Sequence, residues 1–208
     1  MSSIQMLFVN GFAKEPINGA YAELFAGLSP EITSLNNGGW SIDHLEGYYR
    51  IWSIKEATRW SSHGICTSLD DTRSWMAALL VENNPDAEVY AIFLKPDELA
   101  TDDQDKNLIG VIGTHKTDPI PELSYIFHPS AWGKGYATEA LKEYSGNYFT
   151  LKSKFDQLTA WVDTENLPSI KVLRKCGFVE EKTEKGDYVI PWMEPQKRDS
   201  ILFVMKNE

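Results

Sequence analysis

The chain has 208 residues, 42% of them hydrophobic and 12% aromatic, which suffices for one domain with a substantial core. No stretch reaches the about 20 apolar residues of a membrane span, and the start lacks the basic region of a secretory signal, so we expect a cytoplasmic protein without a membrane partner. The net charge of −10 argues against nucleic acid as a partner. Two cysteines, Cys66 and Cys176, without a C-x-x-C pair or an H-E-x-x-H helix, predict neither a disulfide framework nor a metal site.

The first part of the chain divides into two predicted regions. Proline and glycine interrupt the apolar segments near the start, so residues 1–43 are predicted to be an extension packed on a domain that fills residues 44–208. Apolar residues at helical spacing then predict a first helix: Leu45, Tyr48, Tyr49 and Trp52. Ser68 is a suitable N-cap for a second helix, because Asp70 and Asp71 follow where the helix dipole favours negative charge.

Three apolar runs in the middle of the chain predict β-strands. They cover residues 89–94, 108–113 and 123–127. The acidic stretch 95–106 between the first two is predicted to be a hairpin loop.

The second half of the chain predicts a strand–helix–strand unit. A helix is expected from Gly135 to about Thr150, followed by a strand over residues 157–162. A further helix over residues 167–176 begins near Pro168 and ends at Gly177, and two final strands follow, the last one from Ser200 to Met205. Antiparallel strands followed by such a unit predict a mixed α/β sheet in one domain, with a parallel, right-handed crossover.

The segment between the third strand and the following helix contains a pair of glycines. A helix start carries unpaired N–H groups and a partial positive charge, so Gly133 and Gly135 would let a phosphate approach the backbone, with Lys134 beside it. The alternative is that the two glycines only shape a tight turn. The phosphate-binding pattern G-x-x-x-x-G-K-[ST] is absent, and the dinucleotide fingerprint lacks its third glycine, with Thr138 in that place.

Two sequence blocks carry a family resemblance. ELSYIFHPSAWGKGYATEAL, residues 122–141, resembles the acyl-CoA loop and helix of the GNAT superfamily of N-acetyltransferases, and more closely its RimJ/RimL-like branch. WVDTENLPSIKVLRKCGF, residues 161–178, resembles the same branch at the expected distance, and the resemblance covers about residues 44–206. It implies a GNAT-like fold, in which antiparallel N-terminal strands precede a parallel β-α-β unit that carries the CoA loop.

The resemblance also implies acetyl-CoA as cosubstrate, and it assigns residues to it. The family pattern [QR]-x-x-G-x-[GA] falls on residues 132–137, with Trp132 in place of the glutamine or arginine. The pyrophosphate would be held by the backbone of Gly133, Lys134, Gly135, Tyr136, Ala137 and Thr138. The pantetheine amides would pair with the strand edge at Ile126, Phe127 and His128, and Asn166 and Ser169 would complete these contacts.

The implied activity is transfer of an acetyl group to a primary amine by direct attack in a ternary complex. The amine would belong to a peptide N-terminus, a lysine or a small molecule, and the enzyme would be a monomer or a homodimer. Many relatives place a tyrosine seven residues after the motif asparagine to protonate the leaving thiolate. Leu173 occupies that position here, so the resemblance implies that Ser169 or a water molecule takes this role. The alternative is that Ser169 is only a first-turn helix residue with a local hydrogen bond.

The general base is expected among the carboxylates and histidines near the loop. Glu122 is the first candidate, because it lies on the strand that meets the thioester, and the alternative is an exposed carboxylate without function. His128 is the second candidate, although a histidine before proline is more often structural. The loop with Trp192, Met193 and Glu194 flanks the acceptor cleft in similar folds, although buried packing explains the first two equally well.

Two other functions remain open on sequence grounds. Without the usual tyrosine, the chain could be a catalytically inactive relative that binds CoA as a sensor or structural ligand. A dinucleotide-dependent oxidoreductase is the second rival, and it is disfavoured by the incomplete fingerprint.

Overall fold

The structure is a computed structural model, and it describes residues 4–8, 44–80, 83–84, 88–94, 108–116 and 119–207. In chain order the elements are β1 (Ile4–Phe8), α1 (Leu45–Trp52), α2 (Leu69–Ala77), β2 (Glu88–Leu94), β3 (Leu108–Lys116), β4 (Glu122–Phe127), a 3-10 turn (Pro129–Ala131), α3 (Tyr136–Leu151), β5 (Gln157–Asp163), α4 (Leu167–Lys175), β6 (Val179–Val189) and β7 (Lys197–Lys206). Among the helices described, none combines the length and apolar character needed to cross a membrane.

The strands form one mixed sheet of seven strands in the order β1-β2-β3-β4-β5-β7-β6. Strands β1 to β4 pair antiparallel with one another, and β7 pairs antiparallel with both β5 and β6. The β4–β5 pair is parallel, because α3 returns the chain to the same edge. The prediction of a mixed α/β sheet with a strand–helix–strand unit is therefore confirmed. The last strand of the chain lies between β5 and β6.

Two of the sequence predictions concern parts of the chain that are described only in part. The predicted hairpin loop at 95–106 lies outside the described residues. Of the predicted extension 1–43, the structure describes Ile4–Phe8, which the sequence did not predict to be a strand and which pairs antiparallel with β2 at the sheet edge. The division of the chain into residues 1–43 and 44–208 stays a prediction.

The sheet is the middle layer between two groups of helices. Helices α3 and α4 contribute buried residues to a large core cluster on one face, and α1 and α2 contribute to a second cluster on the other face of β2 and β3. Side chains alternate along β4, so Phe127 belongs to the first cluster whereas Ile126 packs against the second. The side chain of Tyr144 is fully buried, and its hydroxyl donates to the Glu88 carbonyl and lies 3.1 Å from Thr114 Oγ1. The hydroxyl of this core tyrosine is therefore hydrogen-bonded.

The helix starts follow the capping chemistry of the sequence. Ser68 Oγ accepts a hydrogen bond from the Asp71 N–H at 3.1 Å, which confirms the predicted N-cap of α2. Asn166 caps α4 by accepting from the Ser169 N–H at 3.3 Å. Helix α4 is followed by Gly177 with a φ of 91°, a left-handed conformation that terminates helices.

Candidate active site

Strands β4 and β5 pair only at their beginnings. The register joins Glu122 with Thr159, and the Thr159 N–H and hydroxyl both donate to the Pro121 carbonyl, at 2.9 and 2.8 Å. Both strands are described over their full lengths, and no further β4–β5 pair follows within them. The two strands therefore part toward their carboxyl ends and leave a wedge-shaped opening, closed at Glu122 and open toward the loop after Phe127.

The backbone groups that face this opening follow from the register of β3 with β4. The His128 N–H donates to the Ile109 carbonyl at 2.9 Å, so the hydrogen-bonding groups of His128, and by alternation those of Ile126, point toward β3. The His128 carbonyl in turn accepts from the Ala131 N–H at 2.9 Å. The backbone N–H and C=O groups of the alternate residues, Tyr125 and Phe127, therefore point toward the opening. Of the three strand residues that were predicted to pair with pantetheine, only Phe127 points its backbone toward this space.

Trp132 ties the glycine loop to the end of β4. Its indole N–H donates to the Phe127 carbonyl at 3.0 Å, and half of the side chain, 50%, remains exposed. The aromatic residue that stands in place of the family's glutamine or arginine thus has a structural role. This hydrogen bond engages the carbonyl of Phe127, whereas the N–H of Phe127 points toward the opening.

The glycine loop leads into the start of α3 with a geometry that suits an anion. Gly133 and Gly135 have φ values of 74° and 90°, a conformation that other residues rarely adopt. A Cβ built on either glycine would meet no atom within 4 Å, so the space in front of the loop is open. Gly135 is the N-cap of a 16-residue helix and offers no side chain to cap it. The helix dipole and the first-turn N–H groups therefore point toward open space, beside the exposed Lys134.

Two of the predicted site residues, Asn166 and Ser169, lie at the start of α4, and Tyr125 packs against this helix start. Ser169 lies in the first turn, where its N–H is bound by the side chain of Asn166. The Tyr125 hydroxyl donates to the Ser169 carbonyl at 3.4 Å, and burial raises the pKa of Tyr125 to about 12. Leu173 is fully buried in the core, so the position of the family's tyrosine contributes only packing. No sequence signal singled out Tyr125, because its contact with Ser169 joins residues 44 positions apart.

Glu122 and His128 lie at opposite ends of β4. Glu122 is half-buried at the closed end of the opening, five residues and roughly 16 Å along the strand from Phe127. The His128 ring caps the 3-10 turn, because its Nδ1 accepts from the Ser130 N–H at 3.2 Å and lies 2.7 Å from the Ser130 hydroxyl oxygen. Desolvation, with the charge of Arg50, lowers the pKa of His128. The geometry assigns His128 a capping role and places Glu122 at the inner end of the opening.

A buried ion pair supports the turn between β5 and α4. The Arg198 side chain is 3% exposed, and it binds the Asp163 carboxylate through Nε at 2.8 Å and Nη2 at 3.1 Å. Tyr188 donates to the same carboxylate at 2.6 Å, as does the Glu165 N–H at 2.7 Å, and the Asn166 N–H donates to the Asp163 carbonyl. Burial alone would raise the pKa of Asp163, but these hydrogen bonds hold it below its usual range. The network therefore fixes the turn that presents Asn166, and the sequence did not reveal it.

The loop between β6 and β7 meets the loop between α1 and α2. The Trp192 indole N–H donates to the Arg59 carbonyl at 3.3 Å, and the guanidinium of Arg59 lies 4.9 Å from the Trp60 ring centroid. Met193 is buried, whereas Glu194 is exposed and Trp192 is 41% exposed. The β6–β7 loop, which was predicted to flank the acceptor cleft, is thus in direct contact with the α1–α2 loop.

Comparison with protein families gives a match over most of the chain. The family described as "Acetyltransferase (GNAT) domain" matches residues 39–179. The matched region begins just before α1 and ends at the first residue of β6. It therefore includes Glu122, the glycine loop and α4.

Individual known proteins resemble the chain more distantly. The uncharacterized N-acetyltransferase p20 of Bacillus licheniformis is 28% identical over 136 residues, which are 64% of this chain and 71% of the relative. Spermidine N-acetyltransferase from Vibrio cholerae, in complex with CoA and spermine, matches with a TM-score of 0.62 and 17% identity over 79% of this chain and 90% of that one. RimL, a ribosomal L7/L12 alpha-N-protein acetyltransferase in complex with coenzyme A, matches with a TM-score of 0.63 and 17% identity over 80% and 90%. At these identities the two structures show the shared fold alone.

Proposed function

Because the chain belongs to the GNAT acetyltransferase domain family, we propose that it transfers the acetyl group of acetyl-CoA to a primary amine by direct attack in a ternary complex. The observation that carries this proposal is the glycine loop at the start of α3, which points helix N–H groups into open space. A catalytically inactive CoA-binding protein would share that loop. Turnover therefore has to be tested separately from binding.

The residues around the opening fit acetyl-CoA. The loop from Gly133 to Thr138 would hold the pyrophosphate, because its backbone offers N–H donors and the helix dipole favours negative charge. Phe127 and Tyr125, whose backbone groups face the opening, would pair with the pantetheine amides, and Asn166 and Ser169 would border them at the start of α4. Bound acetyl-CoA supplies an activated thioester as acetyl donor. In this proposal Tyr125 takes the place that the family resemblance implied for Ile126 and His128.

The proposed proton transfers involve Glu122 and Ser169. The amine has to lose a proton to attack, and Glu122 lies at the closed end of the opening, where β4 and β5 still pair, so it would accept this proton directly or through water. Ser169 or a water molecule would donate a proton to the leaving thiolate, and a Ser169 hydroxyl that gives up its proton would regain one from solvent. Tyr125 would position Ser169, since its hydroxyl donates to the Ser169 carbonyl.

The amine is proposed only as a class. A net charge of −10 favours cationic substrates in general. The two structural relatives are named as acetyltransferases of different amines, one of a polyamine and the other of a protein N-terminus. We therefore propose that the substrate is a primary amine of a small molecule or a peptide. We further propose that the protein is cytoplasmic, that it is a monomer or homodimer, and that it belongs to the RimJ/RimL-like branch.

The proposal is tested by binding and by turnover. Saturating acetyl-CoA is expected to raise the melting temperature by mass action, whereas NADH at the same concentration is expected to leave it unchanged. Release of free CoA is then followed with a panel of amines that includes spermidine, a peptide with a free N-terminus, lysine and an aminoglycoside. Stabilisation by NADH and not by acetyl-CoA would reject the proposed cosubstrate. Binding of acetyl-CoA without CoA release on any amine of a broad panel would favour the inactive sensor.

Glu122→Gln is expected to lower kcat by about 100-fold while acetyl-CoA affinity stays at the wild-type value, because general-base help contributes effects of about this size. The measurement is kcat and kcat/KM from pH 6 to 9, with the affinity taken from a direct binding titration. Glu181→Gln is the matched control, since Glu181 is an exposed carboxylate on β6, away from the opening. If Glu122→Gln kept the wild-type rate across this range, the carboxylate would be a surface group and water would take the proton.

A further inference from the structure

Three different metal-binding side chains converge between α1 and α2. The donor atoms of His63, Cys66 and Asp71 all lie within 4.8 Å of one another, and the Cys66 sulfur is 3.5 Å from His63 Nε2. Cys66 is 1% exposed, and the other two side chains are half-buried. The spacing H-x-x-C-x-x-x-x-D matches none of the metal motifs considered in the sequence, so the sequence predicted no metal site.

The distances suit a tetrahedral ion. A zinc ion bound to sulfur at about 2.3 Å and to imidazole nitrogen at about 2.0–2.1 Å places these two ligand atoms about 3.5 Å apart. The Cys66–His63 separation already has this value. We propose that His63, Cys66 and Asp71 bind a divalent transition-metal ion, zinc above all, with water as the fourth ligand. A thiolate and a carboxylate together would balance the charge of the ion, and sulfur, nitrogen and oxygen donors are the ligands that zinc takes in proteins.

The three ligands are held in place by their neighbours. The His63 ring stacks on Trp75 at a centroid distance of 4.0 Å and an interplanar angle of 7°, and the Trp52 ring contacts it edge-on. The Cys66 N–H donates to the Trp52 carbonyl at 2.9 Å. One oxygen of Asp71 accepts from the Thr67 N–H at 2.8 Å, which fixes the carboxylate at the first turn of α2. Outer contacts of this kind orient metal ligands before the ion binds.

Each side chain taken alone has an ordinary structural explanation. His63 stacks on an aromatic ring, Cys66 fills part of a core, and Asp71 caps a loop. None of these roles requires the three donor atoms to meet. Their convergence within 4.8 Å is the observation that indicates an ion.

The proposed ion would be structural and would lie apart from the acetyl-transfer chemistry. Gly64, next to His63, packs so closely on Trp192 that an added Cβ would lie 2.8 Å from its ring, and the Trp192 N–H bonds to Arg59. The ion would therefore stiffen the α1–α2 loop where it meets the β6–β7 loop. The site does not rest on the proposed function, and its test needs no acetyl-CoA.

The experiment uses the full chain without an affinity tag, freed of metal with a chelator and titrated with Co²⁺ and Zn²⁺. A thiolate-to-cobalt charge-transfer band that saturates at one Co²⁺ per chain and is displaced by Zn²⁺ is expected. Zn²⁺ is also expected to change the tryptophan fluorescence, because His63 stacks on Trp75. Cys66→Ser should remove the band. His63→Gln and Asp71→Asn should weaken binding by more than the about 10- to 100-fold that loss of an outer contact costs.

Cys176→Ser is the matched control, since Cys176 is the second buried cysteine and lies at the end of α4. It should keep the band and the affinity of the wild-type protein. Circular dichroism of each metal-free variant checks that the fold is retained, and the His63 and Asp71 variants decide the question if Cys66→Ser is unfolded. Absence of the band in the wild-type protein, or a band that survives in Cys66→Ser, would overturn the proposal.

Discussion

Gly135→Glu is expected to abolish acetyl-CoA binding while the chain remains folded. The carboxylate would lie at the start of α3, in the space assigned to the pyrophosphate, and would repel it. The protein itself leaves room for the side chain, since a Cβ at this position meets no atom within 4 Å. The φ of 90° adds local strain of about 1–3 kcal/mol, which a core of this size tolerates. Calorimetric titration with acetyl-CoA measures the loss, and circular dichroism checks the fold.

Two further variants isolate the cause of this loss. Gly146→Glu introduces the same charge into the same helix at an exposed position where an added Cβ also meets nothing, and it should bind acetyl-CoA as the wild-type protein does. Gly135→Ala introduces the backbone strain without the charge and should weaken binding less than glutamate does. If Gly135→Glu bound acetyl-CoA with wild-type affinity, the loop would hold a different group.

Arg198→Leu is expected to lower the free energy of unfolding by about 3–5 kcal/mol, because it leaves the Asp163 carboxylate buried without its cation. The side chains of this pair are 3% and 1% exposed, so water cannot replace the lost partner. Urea unfolding at neutral pH measures the change. Arg174→Leu is the matched control, since Arg174 and its partner Glu180 are 59% and 41% exposed and such a surface pair contributes at most about 1 kcal/mol.

The pH dependence separates lost charge from lost packing. In the wild-type protein the pKa of Asp163 lies below its usual value, so its contribution to stability is present above pH 3.8 and is lost as the pH falls through the lower folded pKa. In Arg198→Leu, burial without the cation should raise that pKa. The deficit should therefore be largest near neutral pH and shrink in acid, where Asp163 is protonated. A deficit that is the same at every pH would assign the loss to packing of the arginine side chain.

The site was predicted where its chemistry is local in the chain. The glycine loop follows a strand and precedes a helix within residues 123–150, so spacing and residue type were sufficient to predict a helix start that suits a phosphate. The contacts that surround the candidate catalytic residues were harder to predict from the sequence. Tyr125 contacts Ser169 across 44 residues, and Arg198 binds Asp163 across 35, and no periodicity records such pairs.

Most helices and strands were determined by the sequence itself, because hydrophobic period and capping act over a few neighbouring residues. Helix α2 begins after Ser68 and α4 ends before Gly177, as side-chain and backbone chemistry at those positions requires. Only the tertiary structure decided which strands are neighbours: β7 lies between β5 and β6, and Ile4–Phe8 joins the sheet edge. It also decided that β4 and β5 part after Glu122 and that the backbone of His128 faces β3. Register depends on contacts between distant segments, and a shift of one residue reverses every direction along a strand.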